Sequence, residues 1–166
     1  MYEDKDCILI LGCSLSGKTT LSRTYTSTHK IIHTDDYMNF GDYKSVMFLI
    51  AEIVKTERKK GKIIIEGVQG YRLLRHWLRN NYKLPDVVIE LDIDNNTIKD
   101  RSIKLKRDYK GIMAQKIGND KIMKECKEFP IFNNVIYKKT SARYSKSPLT
   151  FDLKVLSLIL SCAIIK

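Results

Sequence analysis

The chain has 166 residues, of which 43% are hydrophobic and 30% are charged. This composition is typical of a globular domain with one buried core and excludes disordered and collagen-like classes, so we expect residues 1–166 to form a single domain. Thirty Lys and Arg side chains stand against 19 Asp and Glu, a net charge of +11 that favours polyanionic partners or, equally well, reflects a lysine-rich composition without a target.

Cysteine usage and hydropathy bear on the compartment. The four cysteines form no C-x-x-C pair and have no zinc-binding spacing with histidine, so we expect them to be reduced. No apolar run reaches the length of a membrane span, and the N-terminal MYEDKD does not resemble a signal peptide. These features predict a cytoplasmic protein without a membrane partner.

The first predicted strand, Cys7–Leu11, leads into a glycine-rich loop and then a predicted helix over 21–28. The loop reads GCSLSGKTT and fits the pattern G-x-x-x-x-G-K-[ST]. Between a strand and a helix, such a loop wraps nucleotide phosphates with its backbone N–H groups, Lys18 reaches the β and γ oxygens, and Thr19 can ligate Mg²⁺. The nucleotide-binding residues predicted in the loop are Gly12, Ser14, Ser16, Gly17, Lys18, Thr19 and Thr20.

The second predicted strand, Lys30–His33, is followed by two aspartates. Ligands of open α/β sheets bind at the carboxyl ends of the strands, so these carboxylates are candidates for catalysis or ligand binding. We predict that Asp35 is the catalytic base that accepts the proton of an acceptor hydroxyl, and that Asp36 and Tyr37 contact the acceptor. The alternative is that both aspartates only cap the segment that follows.

A helical stripe over 43–60 precedes the third predicted strand, 62–66, which ends in the sequence IIIEG. Glu66 stands where a Walker B carboxylate would stand, so it is predicted to support the metal or to bind the acceptor, and Gly67 lets the backbone approach a ligand closely. The alternative is that Glu66 caps a helix predicted over 71–80.

That short helix carries arginines beside aromatic side chains. It suits a surface that stacks bases and binds phosphates, or a buried apolar face with exposed arginines, and the second interpretation is favoured. The residues concerned are Arg72, Arg75 and Arg79, with Tyr71, His76 and Trp77 beside them.

A charged helix follows the fourth predicted strand, 86–92; Asn95 or Asn96 is expected to cap it, and it should end near Lys110. Arg101, Lys104 and Arg107 lie on neighbouring turns and are predicted to close over the phosphates as part of a lid at about 99–118, with Arg107 catalytic and the other two binding the nucleotide. The alternative is a solvated helix face.

The rest of the chain carries weaker patterns. Asn119 or Asp120 is expected to cap a further helix toward 129. Segment 130–148 predicts a short strand at 135–137 or no regular structure, and 149–166 predicts a helix or a fifth strand.

Four segments, GCSLSGKTTL, HTDDY, IIIEG and KLKRDYKG, together resemble the nucleoside-kinase branch of the P-loop kinases, particularly uridine kinase and nicotinamide riboside kinase. The resemblance spans about 7–111. It implies an α/β fold, a three-layer doubly wound parallel sheet of order 2-3-1-4-5, with ATP and Mg²⁺ as cofactors and Asp35 as the base. A phage-type kinase of hydroxymethyl-pyrimidine bases in DNA is a further relative that would suit a small basic chain.

The chain departs from these families around the acceptor. Its segment between the second and third strands is short, and its C-terminal region does not align. Polynucleotide 5′-kinases carry an arginine two residues beyond their aspartate pair, where this chain has Met38. The sequence therefore predicts an ATP-dependent phosphotransferase acting on a hydroxyl of a nucleoside-like acceptor, free or within a nucleic acid. The alternative of another class is a nucleotide-binding NTPase switch, although the chain has no N-K-x-D motif and no Walker B aspartate.

Overall fold

The centre of the molecule is a parallel sheet within residues 2–141, the part of the chain that the computed structural model describes. Its strands are β1 (Cys7–Leu11), β2 (Lys30–His33), β3 (Ile63–Glu66), β4 (Val87–Asp92) and β5 (Ile136–Ser141). They are ordered β2-β3-β1-β4-β5, and every neighbouring pair is parallel. The predicted fold class and strand order are confirmed.

Helices connect the strands and cover both faces of the sheet. They are α1 (Lys18–Arg23), α2 (Tyr43–Glu57), α3 (Gly70–Arg79), α4 (Asn95–Lys104) and α5 (Tyr109–Lys127), with short 3₁₀ turns over Thr34–Tyr37 and Pro130–Asn134. No helix among residues 2–141 is long and apolar enough to cross a membrane.

The strand β1 lies between two apolar layers. Alternate residues, such as Leu9 and Ile10, point to opposite faces: Leu9 packs with Val46 of α2 and Leu73 of α3, whereas Ile10 packs with Leu21 of α1. Every residue of β1 is fully buried. This explains the continuous apolar run, because a central parallel strand is covered on both sides.

The helical segment after β4 differs from the prediction. The helix expected to continue to about Lys110 ends at Lys104, because Lys106 adopts a positive φ of 51°. Asp108 then accepts hydrogen bonds from the N–H groups of Lys110 and Gly111 and starts α5. The N-cap of α4 is Asp94, so the caps expected at Asn95 or Asn96 are wrong.

Other helix and strand boundaries also differ from those predicted. Asn119 and Asp120 lie inside α5, so the helix start predicted there is wrong. Helix α1 begins inside the glycine-rich loop and is shorter than the expected 21–28. The strand expected at 135–137 runs over Ile136–Ser141, since it pairs with all of β4. The helix or strand predicted at 149–166 falls outside the described residues.

Candidate active site

The glycine-rich loop leaves β1 at the carboxyl edge of the sheet and turns tightly into α1. Gly17, the residue before the helix, has a φ of 96°, and Leu15 also has a positive φ, of 66°. A Cβ at Gly12 would lie 2.3 Å from Oγ of Ser16, a hydroxyl that is buried without a partner among the described residues. The two glycines of the pattern are therefore required by the backbone path.

Lys18 lies inside this loop and is only 7% exposed. Its Nζ donates a hydrogen bond to the carbonyl oxygen of Cys13, 2.9 Å away. Burial lowers the pKa of the Lys18 ammonium, while the nearby carboxylates of Glu66 and Asp35 act in the opposite direction. The buried ammonium group thus lies near two carboxylates.

Glu66 lies at the end of β3, level with Ile10 of β1 and His33 of β2. It is 3% exposed, and its Oε1 accepts a hydrogen bond from the hydroxyl of Thr19 at 3.0 Å. The Nδ1 atom of His33 lies 2.5 Å from the same oxygen. The residue before α3 is Gln69, so Glu66 does not cap that helix.

Asp35 faces the site from the 3₁₀ turn after β2. Its Oδ1 accepts a hydrogen bond from the backbone N–H of Val68 at 2.8 Å, and the hydroxyl of Thr34 lies 3.3 Å away. Neither Asp35 nor Asp36 caps the turn through its side chain. Asp36 is exposed, and Tyr37 is half-buried with its ring centroid 6.3 Å from that of Phe40.

One cavity of about 620 Å³ joins the loop, both carboxylates and the start of α5. Its lining includes six of the predicted site residues: Ser14, Lys18, Thr19, Asp35, Glu66 and Arg107. The remaining loop residues Gly12, Ser16, Gly17 and Thr20 shape the turn or begin α1.

Of the three lid residues, the structure brings only Arg107 to this cavity. The Nη1 atom of Arg101 donates to the carbonyl oxygen of Leu15 at 2.5 Å, which joins α4 to the glycine-rich loop. Lys104 is exposed in the last turn of α4.

Sequence reasoning missed Gln115 and His33. Gln115 lines the cavity from α5, and its Oε1 accepts the backbone N–H of Ser14 at 2.8 Å. No sequence signal marks it, since the helix break that aims α5 at the loop was not foreseen. His33 could have been found from its place at the end of β2, because parallel pairing puts it beside Glu66.

The donor set suits Mg²⁺ bound together with a nucleotide. Among residues 2–141, no group of three or more His, Cys, Asp or Glu side chains could hold a metal ion by itself. Mg²⁺ at a phosphate loop needs no such group, because it takes most of its ligands from water and phosphate oxygens. The hydroxyl of Thr19 and the carboxylate of Glu66, hard oxygen donors 3.0 Å apart, fit this kind of site.

The aromatic side chains of α3 are not available for stacking, except in part at His76. Tyr71 is 3% exposed and donates its hydroxyl to Oε1 of Glu90 at 3.0 Å, and Trp77 is 1% exposed. The favoured interpretation of this helix, a buried apolar face with arginines outside, therefore agrees with the structure.

No family model and no curated protein matches the sequence of this chain. Among solved structures, shikimate kinase from Bacteroides thetaiotaomicron is similar with a TM-score of 0.58 and 12% identity, covering 95% of this chain and 98% of that chain. Deoxyadenosine kinase from M. mycoides with bound dCTP is similar with a TM-score of 0.51 and 16% identity, covering 96% of this chain and all of that chain.

The chain has the fold of the P-loop kinases. Its glycine-rich loop occupies the turn between β1 and α1, next to a sheet of the expected order. At these identities the likeness concerns the fold, so the acceptor has to be argued from this chain's own residues.

Proposed function

We propose that the protein is an ATP-dependent phosphotransferase that uses Mg²⁺ and moves the γ-phosphoryl group to a hydroxyl of a nucleoside-like acceptor, free or within a nucleic acid. The observation that carries this proposal is that Lys18, Asp35 and the Thr19–Glu66 pair line one cavity. A cation for the phosphates, a base for the acceptor and oxygen ligands for the metal are then within reach of each other.

The glycine-rich loop is the proposed binding site for ATP, the phosphoryl donor. Its backbone N–H groups and Lys18 would bind the β- and γ-phosphates. Thr19 and Glu66 would hold the Mg²⁺ ion, which would supply positive charge to stabilise the phosphate oxygens. The N–H of Ser14, now bonded to Gln115, would turn to a phosphate oxygen. Arg107 adds positive charge from the α5 side of the cavity.

The acceptor half falls to Asp35. Its Oδ1 is held by the N–H of Val68, which orients the carboxylate. As the acceptor oxygen bonds to the γ-phosphorus and the bond from that phosphorus to the β–γ bridging oxygen breaks, the acceptor proton passes to Asp35 and ADP leaves. Asp36 and Tyr37, in the same turn, are the proposed acceptor contacts, and Arg101 and Lys104 complete the proposed nucleotide site from α4.

The test is Asp35→Asn, assayed with labelled ATP and a panel of nucleosides, nucleotides and oligonucleotides. We expect ATP affinity to stay nearly unchanged and phosphate transfer to fall by about 10²-fold or more, because the amide cannot take up the proton. Asp4→Asn, at an exposed carboxylate that pairs with Lys5, is the matched control and should keep the full rate.

Two results would contradict the proposal. A full transfer rate in Asp35→Asn would remove Asp35 as the base. Release of ADP without any phosphorylated acceptor would favour an NTPase switch instead.

A further inference from the structure

The outer side of α3 carries a row of arginines with little compensating acid. Arg72, Arg75 and Arg79 are spaced so that they share one side of the helix. Arg75 and Arg79 both pair with a single carboxylate, that of Glu125 on α5, at 3.4 Å for Nη1 of Arg75 and 3.0 Å for Nε of Arg79. One acid for three guanidinium groups leaves these three arginines, hereafter the ridge, with a net positive charge.

The ridge begins close to the proposed base. Arg72 donates to Oε1 of Gln69 at 3.1 Å, and its guanidinium carbon lies 5.2 Å from the ring centroid of Tyr43. Gln69 follows Val68, whose N–H binds Asp35. The first arginine of the ridge and the catalytic carboxylate are therefore joined through two neighbouring residues.

Three exposed aromatic side chains follow the Asp35 turn in the chain. Phe40 is 68% exposed, Tyr43 40% and Phe48 56%, in the loop before α2 and the first half of that helix. Large rings are usually buried, so three exposed ones, of which Tyr43 contacts Arg72 and Phe48 lines a groove, indicate a binding surface. Flat aromatic faces next to guanidinium groups suit nucleobases joined by phosphates.

A groove of about 730 Å³ continues from Phe48 between α2 and α3. Lys55, Lys59 and Lys83 line it, and the acid that lines it, Glu52, already pairs with Lys55. From Tyr43 to Lys55 the rise of α2 is about 18 Å, a length greater than one nucleoside needs.

We propose that the acceptor hydroxyl belongs to a single strand of nucleic acid, whose phosphates bind the α3 arginines and the groove lysines and whose bases stack on Tyr43 and Phe48. The inference rests on the proposed phosphotransfer and names its acceptor. A free nucleoside would use neither the arginines nor the groove, and a nucleoside monophosphate would occupy only Arg72. A duplex would keep its bases stacked on each other and away from the exposed rings.

The experiment offers labelled ATP to a single-stranded oligonucleotide, its duplex, nucleoside monophosphates and free nucleosides, and measures oligonucleotide affinity against salt. We expect the single strand to be the best acceptor, with a slope of log affinity against log salt of about −2 or steeper for three or more phosphate contacts. Arg72→Gln should make that slope shallower by about 0.7, since one contact is lost. Phe48→Ala should weaken binding by about 10-fold without changing the slope, because stacking is uncharged.

The matched control is Arg23→Gln, which removes an exposed arginine from α1, on the opposite face of the sheet. It should change neither affinity nor slope. Equal losses in Arg23→Gln and Arg72→Gln would overturn the inference, since binding would then follow total charge alone.

The acceptor panel separates this inference from the function on which it rests. Transfer to a nucleoside or nucleoside monophosphate but not to the single strand would overturn the inference and leave the phosphotransferase intact. Absence of a phosphorylated product from every acceptor would overturn both.

Discussion

Gly67 offers a sharp test of how Asp35 is positioned, because the residue is a glycine for two separate reasons. Its φ is +139°, and a Cβ there would lie 2.1 Å from Oγ1 of Thr34 and 2.9 Å from Oδ1 of Asp35. Gly67→Ala should therefore strain the backbone by about 1–3 kcal/mol. It should also push the Asp35 turn away by about 1 Å, and a misplacement of that size can cost about 10²-fold in rate.

Urea denaturation would give the free energy of unfolding of Gly67→Ala, and labelled ATP its turnover. We expect a loss of about 2 kcal/mol in stability, a fall of about 10²-fold in kcat, and nearly unchanged ATP affinity because the glycine-rich loop is untouched. Gly61→Ala is the matched control: no atom lies within 4 Å of its added Cβ, so activity should be retained. A variant Gly67→Ala that loses stability but keeps its kcat would refute the idea that this contact positions Asp35 as the proposed base.

Two further predictions concern the metal site and the thiols. Glu66→Gln replaces the carboxylate that accepts a hydrogen bond from the Thr19 hydroxyl with a neutral amide. A magnesium titration at fixed ATP should then require about 10-fold or more Mg²⁺ for half-maximal activity. The control Glu128→Gln, at an exposed glutamate, should leave this requirement unchanged, and equal requirements in both variants would argue against the metal role. Burial raises the pKa of Cys7 and of Cys126 to about 12, so both thiols stay protonated at neutral pH. They should be unreactive toward a disulfide reagent until urea unfolds the protein. Rapid labelling of either thiol in the native state, located by peptide mapping, would contradict this expectation.

The parts of the site that follow directly from strand ends were predictable from the sequence. Asp35 lies two residues after the end of β2 and Glu66 is the last residue of β3, and parallel strands bring their carboxyl ends to one edge. The glycine-rich loop was predictable because its spacing reflects backbone constraints at Gly12 and Gly17. Strand ends and tight turns depend on neighbouring residues, so a local sequence pattern is enough to predict them.

The side of the cavity formed by Arg107 and Gln115 was not predictable in the same way. Lys106 breaks the charged helix with a positive φ, which is rare for lysine and leaves no pattern in the sequence. The break ends α4 and lets α5 bring Gln115 to the loop, while Arg101 bonds to Leu15 instead of lining the cavity. The prediction that all three lid cations act together thus remains a proposal, with Arg107 alone at the cavity.

The amino-acid order by itself determined the alternation of strands and helices, the glycine-rich loop and the acids at the strand ends, because each depends on the periodicity or backbone geometry of a few neighbouring residues. Only the tertiary structure decided which helix side chains meet partners elsewhere in the chain, as Gln115 meets Ser14 and Arg72 meets Tyr43. Such contacts join residues far apart in the chain. They depend on the angle at which each helix packs, which a local pattern does not specify.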